Sequence, residues 1–224
     1  MKYLGFVVAR KGSKGLPDKN VKLLNGKPLI QYSFDAGIKA KSLGAVHVST
    51  DDDRIIELAE MCGVESFYLR PTELASDESS VLDVILYHLK WLEANSFPLP
   101  ENIVLLQPTS PIRKDGLIDS CISAFEQCGK SSLIAVSHCS QHPYEMFQIK
   151  DGKLDYINKV PQNRQYYPDY YFITGSLYLA STNYIKTNNK LFDEFSATYI
   201  VSKEEAVDID EEADMRLAEF FLTK

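Results

Sequence analysis

A chain of 224 residues, 45% of them hydrophobic, has material for a single α/β domain over 1–224 with a sizeable core. The formal net charge of −7 argues against nucleic acid as a main partner, because phosphate backbones are held by an excess of lysine and arginine. No apolar run approaches the roughly 18 residues of a membrane span, so no membrane partner is expected either.

In chain order, residues 3–9 are apolar and run straight into a charged loop without a cleavage site. They read as a buried first strand rather than a signal peptide. A helix is predicted over 28–42, with Pro28 in its first turn, where proline is tolerated. A strand follows at 46–50, and then the acidic helix start Asp51-Asp52-Asp53. Ile55, Ile56, Leu58, Ala59 and Met61 have helical spacing, and Gly63 supplies the stop. A third strand is expected at 64–69, and a strongly periodic helix at 81–93. The short apolar run 103–106 has the character of a parallel-sheet strand and ends at Gln107-Pro108-Thr109-Ser110-Pro111, whose prolines forbid further pairing. A helix over 116–128 and a strand over 133–137 come next. Residues 139–172 break the alternation with an aromatic excursion that includes Tyr144, Phe147, Tyr156, Tyr166, Tyr167, Tyr170 and Tyr171. A strand at 176–180 returns to the core, and the chain closes with residues 198–201, an acidic stretch, 207–214, and a last helix ending near Leu222. Cys62, Cys121, Cys128 and Cys139 form no CxxC pair, as expected of reduced thiols in a cytoplasmic protein.

Repeated βα units with apolar strands imply an α/β fold with a three-layer, mostly parallel sheet. Ligands of such sheets bind at the carboxyl ends of the strands. That rule points to the loops after the first strand, before Val81 and after Leu106. The first of these, Ala9-Arg10-Lys11-Gly12-Ser13-Lys14-Gly15-Leu16-Pro17-Asp18-Lys19-Asn20, combines cations with two glycines, whose bare backbone admits a close anionic ligand. Its glycine spacing fits neither a Walker loop nor a dinucleotide fingerprint. Asp208 and Asp210 stand two apart, so on an extended segment both carboxylates face one side, an arrangement suited to Mg²⁺. The same acids also suit the start of the last helix.

The first loop followed by Gly26-Lys27-Pro28-Leu29-Ile30 resembles the signature of the acylneuraminate cytidylyltransferases. Three further blocks agree in order: Leu74-Ala75-Ser76-Asp77 with Ser79-Ser80, then 106–113, then Val207-Asp208-Ile209-Asp210-Glu211-Glu212. The resemblance implies a nucleotide-diphospho-sugar-transferase-like, Rossmann-like fold whose excursion 139–172 is a small dimerisation lobe that helps complete the sugar site. It implies an enzyme that transfers CMP from CTP to the anomeric hydroxyl of a sialic acid-type nonulosonic acid, with Mg²⁺ (or Mn²⁺) as cofactor and a homodimer as the assembly. By the same resemblance Arg10, Ser13, Lys14, Lys19 and Asn20 hold the nucleotide, with Arg10, Lys19 and Asp210 catalytic. Ser79 and Ser80 meet the cytosine edge, although serine before a helix is also a plain N-cap. Asp208 and Asp210 bind the metal. Gln107, Arg164 and Tyr178 face the sugar; a surface role for Arg164 and core packing for Tyr178 are the plainer readings. Arg113 stands equally between a site role and a turn role.

The chain departs from the family pattern in two places. Sialic acid members often carry a basic residue after His-Pro, where this chain has Tyr144-Glu145, and Arg-Pro-Asn-Gly where it has Phe172-Ile173-Thr174-Gly175. Both changes remove cations near the sugar, which opens legionaminic acid as the substrate. Activation of the eight-carbon acid Kdo and a regulatory nucleotide-binding module without catalysis are the rival readings.

Overall fold

The computed structural model describes residues 1–12, 15–76, 78–157 and 163–223. Ser13, Lys14 and Asp77 lie outside them. The elements in order are β1 (Tyr3–Val8), β2 (Leu23–Leu24), β3 (Lys27–Pro28), α1 (Leu29–Lys39), β4 (Ala45–Ser49), α2 (Asp53–Cys62), α3 (Val81–Ala94), β5 (Asn102–Leu105), α4 (Leu117–Cys128), β6 (Ser132–His138), β7 (Phe147–Lys150), β8 (Lys153–Tyr156), β9 (Tyr171–Ser181), α5 (Thr182–Asn188), β10 (Ala197–Ile200) and α6 (Glu212–Leu222).

Six strands form the main sheet in the order β10-β6-β9-β5-β1-β4. The β1–β4, β1–β5 and β10–β6 pairs are parallel, and β9 alone runs antiparallel, between β5 and β6. Alternation along the strands separates two cores. Tyr3 and Val7 of β1 with Val104 of β5 join Ile30 and Phe34 of α1, Ile55 of α2, and Ile118 and Cys121 of α4 on one face. Leu4, Phe6, Ile103 and Leu105 join Val84, Ile85 and Leu89 of α3 and Ile185 of α5 on the other. Helices on both faces make the three layers. Each fully buried aliphatic or aromatic side chain contributes about 1.5–3 kcal/mol.

Several boundaries differ from the sequence expectation. Pro28 sits at the N-cap of α1 rather than in its first turn, and α1 ends at Lys39. The expected third strand at 64–69 touches β4 only through isolated bridges, His47 to Glu65 and Thr50 to Leu69, so it runs beside the sheet without a continuous ladder. Helix α5, unforeseen, starts at the Ser181 cap, whose hydroxyl accepts the Tyr184 N–H. Gly63, with φ 74°, ends α2 as expected. Within the excursion, β7 and β8 form an exposed hairpin of their own, and β9 already begins at Tyr171.

A third cluster, apart from both sheet faces, positions the site. Leu16 from the first loop, Leu24, Leu29 and Ile112 pack with Val207, Ile209, Met215 and Ala218 near the carboxyl end of the chain. Burial of Ile209 pins the acidic segment against the first loop, although some 190 residues of chain separate them. Flanking Ile209, Asp208 and Asp210 stay exposed, as an extended segment with one buried residue between them requires.

Candidate active site

A cavity of about 440 Å³ opens at the carboxyl ends of the adjacent parallel strands β1 and β5. Val8, Ala9, Arg10, Gly15, Lys19 and Asn20 line it from the first strand and its loop, and Leu105, Gln107, Pro108 and Thr109 from the fifth. Ser76, Ser79, Val81 and Val84 supply the wall at the start of α3, while Arg70 and Asp210 complete it.

The first loop is held at several points. Asn20 Nδ2 donates to the Arg10 carbonyl at 3.1 Å, closing the loop on itself. Lys19, nearly buried, donates from Nζ to the Ile209 carbonyl at 2.7 Å and to Asp210 Oδ1 at 2.9 Å. The Ile209 N–H in turn donates to the Thr109 carbonyl at 2.7 Å, so one residue ties together the loops that follow β1 and β5. Gly15 lies so close to the same segment that a Cβ on it would stand 2.7 Å from the Asp210 carbonyl oxygen.

The acids of the carboxyl-terminal segment divide by role. Asp214 Oδ2 accepts the N–H groups of Asp210 and Glu211, both at 2.9 Å, and completes the capping box of α6. Glu212 pairs with Lys22 at 3.2 Å. Asp210 lines the cavity, whereas Asp208, expected beside it, is exposed but not among the lining residues, and no group of three or more histidine, cysteine or acidic residues forms a metal cluster among the described residues. A pair of exposed carboxylates fits Mg²⁺ all the same, since that ion commonly takes one or two protein carboxylates and fills its octahedron with waters and phosphate oxygens.

Arg70 is a lining residue that the sequence reading missed. Its side chain is buried; Nη2 donates to the Ala9 carbonyl at 2.6 Å and to Asp51 Oδ1 at 3.0 Å. Asp51 also accepts the Lys11 N–H at 2.9 Å, which links Arg70 to the first loop. Arg70 opens the loop before Val81, one of the three loops at strand carboxyl ends, in which the sequence singles out only Ser79 and Ser80. Among the described residues, Arg10, Lys19 and Arg70 line the cavity together with the carboxylate of Asp210, Lys19 being paired with Asp210 and Arg70 with Asp51.

Other expected site residues fall differently. Ser80 is the α3 cap: its hydroxyl donates to Asp83 Oδ2 at 2.7 Å and accepts the Asp83 N–H at 3.1 Å, and it does not line the cavity. Ser79 does, with its hydroxyl donating to the Glu73 carbonyl at 2.6 Å. Arg164 lies in the excursion, outside the cavity, and forks onto Glu145 at 2.6 and 2.8 Å, so its charge is already paired. Tyr178 packs against Phe192 in the α3-side core; burial first, then the nearby Asp208, raises its pKa. Arg113 faces inward beneath the Gln107 loop and does not line the cavity.

A three-layer sheet carrying such a cavity at its switch between strands has the architecture of a nucleotidyltransferase. Comparison with known sequences narrows the class. The chain belongs to the cytidylyltransferase family, whose model matches residues 4–140. It is 32% identical over 225 residues to the CMP-N,N'-diacetyllegionaminic acid synthase of Legionella pneumophila, covering 98% of this chain and 95% of that one. It is 30% identical over 226 residues to the N-acylneuraminate cytidylyltransferase of Escherichia coli, covering 97% of this chain but spanning only 51% of that relative's length. In fold it is similar to a CMP:2-keto-3-deoxy-manno-octonic acid synthetase solved with CTP, with TM-score 0.73, 16% identity, and coverage of 100% and 99%. A 4-diphosphocytidyl-2C-methyl-D-erythritol synthase from Anaerococcus prevotii superposes with TM-score 0.68 at 15% identity, covering 100% and 99%.

Proposed function

We propose that this protein transfers CMP from CTP to the anomeric hydroxyl of a sialic acid-type nonulosonic acid and releases pyrophosphate. The observation that carries the reading is the contact of Lys19 Nζ with Asp210 Oδ1 at 2.9 Å, which brings the cationic loop and the acidic segment to one cavity. A triphosphate near −4 needs several fixed donors, and charge-assisted bonds are roughly twice as strong as neutral ones. Arg10, Lys19 and Arg70 supply that charge, and Asn20 and Ser79 line the nucleoside side. Ser13 and Lys14 would join them. The sugar C2 hydroxyl oxygen then attacks the α-phosphorus in line as the bond to pyrophosphate breaks, its proton passing to Asp210 or to water. Positioning and charge neutralisation account for most of the acceleration in such a transfer.

Asp208 and Asp210 would hold a Mg²⁺ (or Mn²⁺) ion. Held there, it would neutralise phosphate charge and help orient the leaving group. Gln107 lines the cavity and would meet the sugar, whereas Tyr178 packs in the core and Arg164 belongs to the excursion. Exposed Phe147, Ile149, Leu154, Tyr156 and Tyr171 on the excursion support a homodimer in which the partner covers that lobe. Four free thiols and the absence, among the described residues, of any helix long and apolar enough to cross a membrane agree with a cytoplasmic enzyme.

The 32% identity to a CMP-N,N'-diacetyllegionaminic acid synthase over nearly the whole of both chains, together with Tyr144-Glu145 in place of a basic residue after His-Pro, favours a second reading for the sugar, a legionaminic acid in place of N-acetylneuraminic acid. The test is pyrophosphate release with CTP, Mg²⁺ and a panel of N-acetylneuraminic acid, N,N'-diacetyllegionaminic acid and Kdo. Turnover with one of the two nine-carbon acids is expected. Turnover with Kdo alone, or with none, overturns the proposal, and light scattering that finds a monomer at micromolar concentration removes the dimer.

A further inference from the structure

The cavity has two electrically unlike halves. Its cations stand over β1 and the neighbouring end of β4, through Arg10, Lys19 and Arg70. Gln107 stands over β5, the strand that borders β9, and offers only an uncharged amide. Whatever sits there is recognised by hydrogen bonds, and such recognition depends on how firmly the amide is held.

Gln107 is clamped from both ends. Its backbone carbonyl accepts Arg113 Nη2 at 2.8 Å and Ser33 Oγ at 3.2 Å. The same guanidinium reaches two other elements: Nε donates to the Ser176 carbonyl of β9 at 2.8 Å, and Nη1 to Ser33 Oγ of α1 at 3.0 Å. All three acceptors are neutral, and no carboxylate pairs with Arg113 among the described residues. Desolvation of this half-buried guanidinium, with no counter-ion beside it, pushes its pKa down to about 9. At the other end, Gly175 leaves room for the side chain. A Cβ on Gly175 would lie 2.5 Å from both Gln107 Oε1 and Ser110 Oγ, so the amide rests directly on the β9 backbone.

We infer that Arg113 is a positioning residue for the acceptor sugar: it fixes the Gln107 backbone across α1, β5 and β9 and thereby sets sugar affinity without touching the nucleotide. An aliphatic side chain at Arg113 would cost little in packing but would leave the Gln107 and Ser176 carbonyls short of a buried donor. Freed by as little as about 1 Å, a substrate-positioning group loses on the order of 10- to 100-fold in rate. The inference rests on the proposed transfer to a sugar.

The experiment measures KM for CTP and for the accepted sugar separately, together with Tm, in Arg113→Met, Arg113→Lys, Ser33→Ala and Gly175→Ala. In Arg113→Met the sugar KM is expected to rise roughly 10-fold or more, and the CTP KM to stay within about twofold. Arg113→Lys, which keeps the charge and reaches fewer acceptors, should fall between it and the wild type. Ser33→Ala removes one acceptor of Arg113 and one donor to Gln107, and Gly175→Ala displaces the amide; both should raise the sugar KM alone. Equal rises in both KM values, or an unchanged sugar KM in the folded variants, overturn the inference. Should Arg113→Met fail to fold, Ser33→Ala decides. A wild-type enzyme that transfers CMP to no nonulosonic acid is a different failure, that of the proposed function.

Discussion

Replacing Asp210 by asparagine separates its charge from its shape. The side chain is 78% exposed, so its ion pair with Lys19 behaves as a surface pair and contributes about 0–1 kcal/mol. Lys19 keeps its 2.7 Å bond to the Ile209 carbonyl, and the asparagine oxygen still accepts from Nζ. The Asp210 N–H remains bonded to Asp214, so the α6 cap survives. For a chain of this size a loss below about 1 kcal/mol lowers Tm by less than roughly 4 °C. Activity should respond very differently. Removing one fixed electrostatic partner of a transition state costs on the order of 10²- to 10³-fold in kcat. Because the lost charge is also half of the carboxylate pair, the Mg²⁺ concentration for half-maximal rate should rise. Pyrophosphate release from CTP and the accepted sugar, followed across a Mg²⁺ titration beside a thermal melt, reads all three quantities. Full activity at an unchanged Mg²⁺ requirement would refute the role of the acidic segment.

Three further outcomes follow from the geometry. Gly15→Ala puts a Cβ against the Asp210 carbonyl, 2.7 Å away where ordinary contacts begin near 3.4 Å; the backbone must yield, and kcat/KM should fall by about 10²-fold, while wild-type kinetics would sink the argument. Ser80→Ala should cost about 1 kcal/mol of stability with the CTP KM unchanged, and Ser79→Ala should raise that KM with little effect on Tm; a melt and a CTP titration distinguish them, and the reverse pattern would restore Ser80 to the site. Acid should destabilise the fold through His47 and His88, whose Nδ1 and Nε2 stand 3.0 Å apart in the core and whose pKa values burial lowers to about 4 and about 3. The unfolded chain binds protons that the folded one refuses, so this stability is present above about pH 6.5 and is lost as pH falls toward 4. Each pKa unit is worth about 1.4 kcal/mol, making a loss of a few kcal/mol by pH 5 that urea melts would register; a flat profile from pH 7 to 4.5 would contradict it.

The differences between sequence pattern and structure share one cause, tertiary geometry. Segment 64–69 has the composition of a strand, but ladder formation depends on how closely β4 approaches, and only isolated bridges form. Ser79 and Ser80 are identical in type and adjacent. Which one caps and which one faces the cavity is decided by the entry angle of α3, which depends on Val84, Ile85 and Leu89 packing on the sheet. The resemblance assigns Arg164 by its place in the chain, but a guanidinium pairs with the carboxylate that geometry brings to it, and here that is Glu145.

The alternation of apolar runs determined on its own that this chain builds a layered α/β sheet, because burial of one face of each element is a local property written at periods of 2 and 3.6. The charged loop after β1 and the two aspartates spaced around Ile209 were likewise legible as chemistry. Only the tertiary structure decided that they meet. The cluster around Leu16 and Ile209 joins the two ends of the chain, and apolar burial carries no label for its partner. The tie of Arg113 to three elements, and the passage of Gly15 and Gly175 against backbone and amide, depend on distances between residues far apart in sequence, which no local pattern encodes.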